Sequence, residues 1–351
     1  MTLCNVVLST EPRSGKGGVA TVIPMYLEAL SKLGRTTFIP THSGQHIWGK
    51  FVPWLASFFR CLKVIATQRR SRIVFHLHPG SGFCIIRMLI LAIFIRGVAR
   101  QHVLVFMHTP YLETYLKSTA WRLIIGTLIR CVDRTVVLTA YARNLLDKYG
   151  LAERADVIPN PFHGNARVNG RTKEIGDVIN VLTMGRLVKG KGILETVKAM
   201  VALPENYHLV VAGDGELGGE LEKAIHFHGL ESRVRLLGWI SGSGKDELLA
   251  SASVFCLPSR VDSFGMSFVE AQYYDLPIVA FRHPPVMEVI RQDAAVFVDS
   301  LEPDVLSLAI EKANELNFLL PPGSGAHWVD ASFGVDHTSL RLRSTILTIL
   351  S

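Results

Sequence analysis

Residues 259–280, SRVDSFGMSFVEAQYYDLPIVA, read as the end of a strand, a glycine-bearing loop, a helix, a turn and a second strand. Strand, helix and strand in that order, with the aliphatic content of the chain, fit an α/β fold. The helix is expected to begin near Gly265, where unpaired N–H groups and the positive end of the dipole offer a seat for an anion. Asp262 lies in the loop before that seat. Glu270 lies further along, with Phe268, Val269 and Ala271 placed to face a sheet and Glu270 directed elsewhere. Two carboxylates beside an anion seat suit a ligand with both phosphate and hydroxyl groups. The competing reading is a surface helix with a solvated Glu270 and a capping Asp262.

A chain of 351 residues suits two domains of ordinary size with a substantial core. Cys4, Cys61, Cys84, Cys131 and Cys256 are odd in number and scattered without C-x-x-C spacing, which speaks against a disulfide framework or a zinc site and for a reducing cytoplasm. No basic leader with an apolar core precedes the first strand, expected at Leu3 to Leu8. The longest apolar stretch, Phe83 to Ile95, is broken by Arg87 and falls short of the roughly 20 residues a spanning helix needs, so no transmembrane segment is expected. Charge is unevenly divided. Residues 1–165 hold 20 Lys+Arg and 7 Asp+Glu, net +13, whereas residues 166–351 hold 17 and 23, net −6. An anionic partner is therefore expected for the first half alone: a membrane surface, an acidic substrate or nucleic acid.

Along the first half, Leu3 to Leu8 reads as a buried parallel strand and runs into Ser14-Gly-Lys-Gly-Gly-Val19, followed by a helix with Val22, Ile23, Tyr26, Leu27 and Leu30 at helical spacing. Glycines there let backbone approach a ligand. The full P-loop pattern is missing, which excludes that kind of nucleotide hydrolase. Between Trp48 and Ile65 aromatic and aliphatic residues interleave with Lys50, Arg60 and Lys63; a core-facing helix with a solvated basic face is expected for most of it, with part of the region touching lipid headgroups. Strands at Ile73 to Leu77 and Val103 to Met107 end in His76-Leu-His78 and His108. His76 and His78 share one strand face but lack a third metal ligand nearby. His108, at a carboxyl strand end, is the candidate for substrate contact, against a purely structural hydrogen-bonding role. His163 to Asp177 is expected to be the linker.

The second half repeats the alternation. Val178 to Met184 leads into Gly185-Arg186-Leu-Val-Lys189-Gly-Lys191-Gly192 and a helix, and basic side chains on such a loop suit a diphosphate. Strands at Leu209 to Ala212, Val234 to Leu237, Val254 to Leu257, Pro277 to Ala280 and Ala295 to Val298 are expected to complete a parallel sheet. A helix at Asp304 to Leu316, a Pro-Pro-Gly-Ser-Gly break and a final helix near His337 to Leu350 end the sequence, the last segment placed to pack back on the first domain.

Gly185-Arg186-Leu with Lys191-Gly192, Gly213-Asp-Gly, Pro258-Ser259, and Asp262-Ser-Phe-Gly265 through Glu270-Ala271 to Pro277 together resemble the retaining, nucleotide-sugar-dependent glycosyltransferases of the GT-B fold, "group 1" or family four. Val157-Ile-Pro-Asn160 and Gly17-Gly18 are similar to that family's marks in its first domain. The resemblance implies an α/β chain of two facing Rossmann-like domains with parallel sheets, residues 1–165 for acceptor and 166–322 for donor, with 323–351 returning to the first domain. It implies that Arg186 and Lys191 hold the donor diphosphate and neutralise the departing nucleotide, and that Glu270 accepts hydrogen bonds from the ribose. Phe264, Gly265 and Met266 would lay backbone amides against sugar and phosphate, the turns at Gly213 and Trp239 would border the donor, His108 would meet the sugar or acceptor hydroxyl, and Gly17 and Gly18 would approach the diphosphate. One departure stands out: the family places Glu where this chain has Asp262, one methylene and about 1.5 Å shorter in reach.

The implied reaction moves a sugar from a nucleotide-diphosphate sugar to a glycan or polyprenyl-diphosphate-linked acceptor with retained configuration, in polysaccharide biosynthesis, with no cofactor and no metal. An Asp-x-Asp motif is missing; Asp214-Gly-Glu216 reads as a tight turn. Placement is expected in the cytoplasm, peripheral at the inner face of the plasma membrane, with the basic first domain on anionic lipid. No nucleic-acid-reading module is present, and the positive charge stops at the linker. A nucleotide-sugar epimerase and a catalytically silent sugar-nucleotide-binding module of the same fold are the alternatives.

Overall fold

The computed structural model describes residues 2–12, 17–43, 47–164 and 178–351. The expected linker therefore lies almost wholly outside the described residues, as does half of the Ser14 to Val19 turn, residues 14–16. The chain divides into two compact units: residues 1–163 with 333–351, and residues 164–332.

In the first unit the strands are β1 (Leu3–Thr10), β2 (Arg35–His42), β3 (Arg72–Leu77), β4 (His102–Met107), β5 (Arg134–Val137) and β6 (Ala155–Val157). Between them run α1 (Gly18–Ser31), α2 (Ile47–Thr67), α3 (Phe83–Ile93), α4 (Leu112–Lys117), α5 (Thr119–Cys131) and α6 (Ala140–Asp147). Among the described residues the strands form one parallel sheet in the order β2-β1-β3-β4-β5-β6. The central strands β3 and β4 read as near-continuous apolar runs and are buried almost throughout, as parallel strands covered on both faces are, whereas the edge strand β2 is polar and half-buried. Val6, Leu8, Phe75, Leu77, Val103 and Val105 make up the centre of this core. The order reverses at β1, so the loops after β1 and β3 diverge at the carboxyl edge, where open α/β sheets bind ligands.

The second unit holds β7 (Ile179–Met184), β8 (Tyr207–Ala212), β9 (Val234–Gly238), β10 (Val254–Leu257), β11 (Ile278–Phe281) and β12 (Ala295–Val298). Its helices are α7 (Ile193–Ala199), α8 (Gly218–Phe227), α9 (Ser243–Ser251), α10 (Met266–Tyr273), α11 (Pro284–Met287), α12 (Pro303–Leu316) and α13 (Ser324–Phe333). The described strands form a second parallel sheet, β12-β11-β10-β7-β8-β9, whose order reverses at β7.

α14 (Val335–Leu350) belongs to the first unit and packs on α1. It is tied there by Lys32 to Asp336 at 2.6 Å and by Thr345 Oγ1 donating to Asp156 Oδ2 at 3.0 Å. Helix α13, ahead of it, sits with the second unit, so the division falls at residue 333 rather than near residue 323. Asp275, which adopts φ 55°, holds that helix start: its carboxylate accepts from the backbone N–H groups of Gly323 (2.5 Å) and Gly325 (2.7 Å).

Two helices differ from expectation. The inner side of α2 does pack inward, with Cys61 and Ser57 buried, Trp54 donating to the carbonyl of Arg87 and Phe58 against Phe94. Its outer side is not simply basic: Trp48, Val52, Leu55, Phe59 and Leu62 all stand in solvent. The second departure is α10, which is buried on every side from Phe268 to Tyr273, Glu270 included. Gln272 secures it by donating to the carbonyls of Phe268 and Val289 and accepting from the N–H of Arg291.

Candidate functional site

The loops after β7, β8 and β10 meet at the carboxyl edge of the second sheet because those three strands are neighbours. The first two are knitted by backbone: Gly185 N–H donates to Ala212 (3.0 Å), Leu187 N–H to Asp214 (3.0 Å) and Leu217 N–H to Leu187 (3.0 Å). Gly213 has room for no side chain, since a Cβ there would collide with the Gly185 carbonyl. It is a packing glycine that lets two strand ends touch. Gly192 starts α7 at φ 75°, where an added Cβ would stand 2.6 Å from both Cγ and the carbonyl oxygen of Pro258. A left-handed backbone and contact with Pro258 both demand glycine there.

These constraints deliver Lys191 to the β10 loop, where its Nζ stands 2.6 Å from Asp262 Oδ1, both side chains largely shielded from water. The Arg260 N–H donates to the Gly190 carbonyl at 2.8 Å and clamps the two loops together. Asp262 Oδ2 is buried and has no hydrogen-bond partner among the described residues. An anionic acceptor oxygen left dry and unpaired costs free energy unless a ligand donor meets it. Directly after this loop, Gly265 caps α10 at φ 87° and, being glycine, offers the helix's first N–H groups no side-chain acceptor. Phe264 is buried beneath, and Met266 opens the helix half-buried.

Glu270 is 6% exposed and pairs at 2.8 Å with Lys245 of α9. Sequence reasoning misses Lys245, because it sits in a Ser-Gly-Ser-Gly-Lys run that reads as loop. The usable signal is the lysine itself, placed one strand and one turn before the acidic helix. Arg186 is exposed on the β7 loop, and Trp239, 41% exposed, follows β9 two strands away from β7.

In the first unit, Gly17 precedes α1 at φ 126°, a backbone only glycine adopts readily, and a Cβ added at Gly18, the first residue of the helix, would meet no atom of the described residues within 4 Å. His78 and His108 follow β3 and β4, and their rings meet, His78 Nδ1 to His108 Nε2 at 2.9 Å. His78 also stacks on Phe106 at 4.1 Å and lies under Tyr26, whose hydroxyl donates to Asn160 Oδ1 at 3.1 Å. His76 instead bonds Asn5 Oδ1 through Nε2 at 3.0 Å. Burial pushes the pKa values of His76 and His108 down to about 3, and burial followed by the charges of His108 and His76 pushes that of His78 well below the ordinary range. All three are neutral at pH 7.

A neutral pair sharing one hydrogen bond has a defined direction. His78 Nε2 is buried without a partner among the described residues. A dry N–H costs more than a dry lone pair, so the proton sits on His78 Nδ1 and is donated to His108 Nε2. His108 then carries its own proton on Nδ1, which makes it a hydrogen-bond donor rather than a base. Among the described residues no cluster of three or more His, Cys, Asp or Glu stands ready to hold a metal.

Two parallel six-stranded units with the α14 segment returning to the first define a GT-B architecture. The crystal structure of Anabaena Alr3699/HepE in complex with UDP-glucose matches it at a TM-score of 0.75, covering 98% of this chain and 99% of that one at 17% identity. In sequence, the profile described as "Glycosyl transferases group 1" matches residues 170–319. The second unit therefore belongs to the group 1 glycosyltransferases. A phosphatidylinositol N-acetylglucosaminyltransferase component of Arabidopsis thaliana is 24% identical over 321 residues, 85% of this chain and 71% of that protein. An uncharacterized glycosyltransferase of Methanocaldococcus jannaschii is 30% identical over 135 residues, but this match spans 35% of its length.

Proposed function

We propose that the chain transfers a sugar from a UDP-sugar to a glycan or lipid-linked acceptor hydroxyl with retention of anomeric configuration. The observation that carries this reading is the Lys191–Asp262 pair with its dry, unpartnered Oδ2, set beside the uncapped start of α10. Lys191 and the exposed Arg186 supply positive charge for a diphosphate, and the α10 N–H groups supply donors to it. As the C–O bond to the diphosphate breaks, negative charge grows on the leaving oxygen, and these groups stabilise it without a metal ion. Asp262 Oδ2 accepts from a sugar hydroxyl, and its negative charge favours the oxocarbenium-like carbon that forms. Glu270, fixed by Lys245, accepts from the ribose. The acceptor oxygen attacks the face the nucleotide leaves, and its proton passes to the departing diphosphate. His108 Nδ1–H donates to a substrate oxygen.

The choice of UDP rests on the UDP-glucose bound by the Anabaena protein, and a lipid-linked acceptor on the name of the Arabidopsis relative. A role in polysaccharide assembly at the cytoplasmic membrane face fits the basic first unit. Slow hydrolysis of UDP-α-sugars, followed by proton NMR of the freshly released sugar, tests the reaction without an acceptor. The proposal expects UDP release with the α-anomer first. First release of the β-anomer, interconversion of one UDP-sugar into another without UDP release, or no consumption of any UDP-sugar overturns it.

A further inference from the structure

The outer side of α2 is unusual for a helix on a folded domain. Trp48, Val52, Leu55, Phe59 and Leu62 recur at intervals of four, three, four and three residues, which places them on one narrow stripe. Trp48 is 75% exposed, Leu55 55% and Phe59 76%. A single exposed apolar residue is ordinary, but a row of five over four helical turns is a patch that something covers. Phe83, also exposed at the start of α3, extends the apolar surface through its contact with Phe51.

The spacing alone fits a second helix as well as it fits lipid, since it is the repeat of a coiled-coil seam. Charge decides between them. Residues 29–112 contain 11 Lys+Arg and no Asp or Glu at all. On α2 itself Lys50, Arg60 and Lys63 are exposed, and among the described residues none of their charged groups pairs with a carboxylate. Lys63 borders the stripe and Arg60 lies a little further round. Two copies of this chain meeting through the stripe would set cation against cation with no carboxylate from the segment to relieve it. An apolar stripe carrying Trp, Phe and Leu, edged by unpaired cations, matches instead the boundary between acyl chains and anionic headgroups.

We propose that α2 is the membrane-docking element of the first unit, lying in the plane of an anionic bilayer with the Trp48 to Leu62 stripe in the acyl region and Lys63 and Arg60 at phosphate level. This deepens the membrane placement given above by assigning it a surface, and it stands independently of which sugar is transferred. Helix α2 spans 21 residues, yet among the described residues no helix is long and apolar enough to cross a membrane. The contact is therefore interfacial. Because the inner side of α2 packs through Trp54, Phe58 and Cys61, the helix docks without leaving its unit, and the unit is held with the edge strand β2 nearby.

The test is flotation of the full chain with vesicles of phosphatidylcholine alone or mixed in equal parts with phosphatidylglycerol, at low and high salt. Wild type is expected to float with the mixed vesicles and to be released by salt. Loss of two large apolar contacts in the Leu55→Glu/Phe59→Glu double variant should weaken that partition about a hundredfold. Phe227→Glu, at an exposed apolar position in the second unit, should leave it unchanged. Fluorescence quenching by brominated acyl chains should be strong in wild type and fall in Trp48→Phe. Circular dichroism and a UDP-induced thermal shift verify that the double variant is folded and binds donor, so failure of the docking idea is separable from failure of the transferase reading. Absence of binding by wild type, binding undiminished in the double variant, or a dimer in sedimentation that the double variant dissolves would each overturn the proposal, the last by making the stripe a seam between copies of the chain.

Discussion

Acid should loosen the first unit in a way that can be assigned to single residues. An unfolded histidine titrates near 6.5, whereas burial holds His76 and His108 at about 3 and His78 well below its ordinary value. Between those limits the unfolded chain binds a proton that the folded chain refuses. Stability therefore rises with pH across the window and is lost as pH falls below about 6.5. A histidine held at about 3 costs about 1.4 kcal/mol per pH unit, or about 2 kcal/mol at pH 5, so His76 and His108 together cost about 4 kcal/mol there, and His78 adds to it in the same direction. The substitution His76→Gln removes one of them, keeps a donor for Asn5 Oδ1 and leaves the His78–His108 contact intact. Urea unfolding, followed by the fluorescence of Trp48, Trp54 and Trp121 in a background with Trp239 and Trp328 replaced by Phe, isolates the first unit. The stability difference between variant and wild type should shift by about 2 kcal/mol in favour of the variant from pH 7 to pH 5. A difference that stays constant with pH refutes the reasoning, because it means that His76 takes up its proton equally in both states.

Other expectations follow from single contacts. Gly192→Ala meets a positive φ and the Pro258 backbone together, so it should cost well over 1 kcal/mol and lower the melting point of the second unit. Lys245→Met strands a buried carboxylate at Glu270, and about 3 to 5 kcal/mol of destabilisation is expected in thermal unfolding, relieved by adding Glu270→Gln. Arg186→Ala should lower turnover of a UDP-sugar by roughly a hundredfold with little change in melting temperature, as removal of a transition-state donor does. In nitrogen-15 NMR, His108 should show its proton on Nδ1 in wild type and lose that tautomeric preference in His78→Ala; a proton on Nε2 in wild type contradicts the assigned direction.

The strands and glycine turns of both units are legible in the sequence because buried parallel strands advertise themselves as apolar runs and because Gly192 and Gly265 occupy backbone that other residues avoid. Periodicity cannot say which side of α2 faces the core, since the 51, 54, 58, 61 series and the 48, 52, 55, 59 series are both apolar. Only the packing against Arg87 and Phe94 distinguishes them. Alternation along β3 puts His76 and His78 on one side of the strand. Both rings lie near Phe106 of β4, but His78, just beyond the end of β3, bonds His108 just beyond the end of β4, while His76 within β3 bonds Asn5 of β1. Asp262 and Lys191 stand out in the sequence separately, as a sugar contact and a diphosphate contact. That they pair is a tertiary fact, set by the adjacency of β7 and β10. The sequence pattern places Glu270 off the sheet side of an amphipathic helix, a premise that fails when a helix is enclosed on all sides.

The central claim is that the β7 and β10 loops of the second unit hold a nucleotide-sugar donor through Lys191. Its most direct test is the melting temperature of wild type and Lys191→Met with UDP, UDP-sugars, GDP and ADP, with and without EDTA. A nucleotide at a hundred times its dissociation constant stabilises by about 2.7 kcal/mol. The prediction is a selective uridine-nucleotide shift that survives EDTA in wild type and collapses in the variant; no shift with any nucleotide, or one undiminished in Lys191→Met, contradicts it.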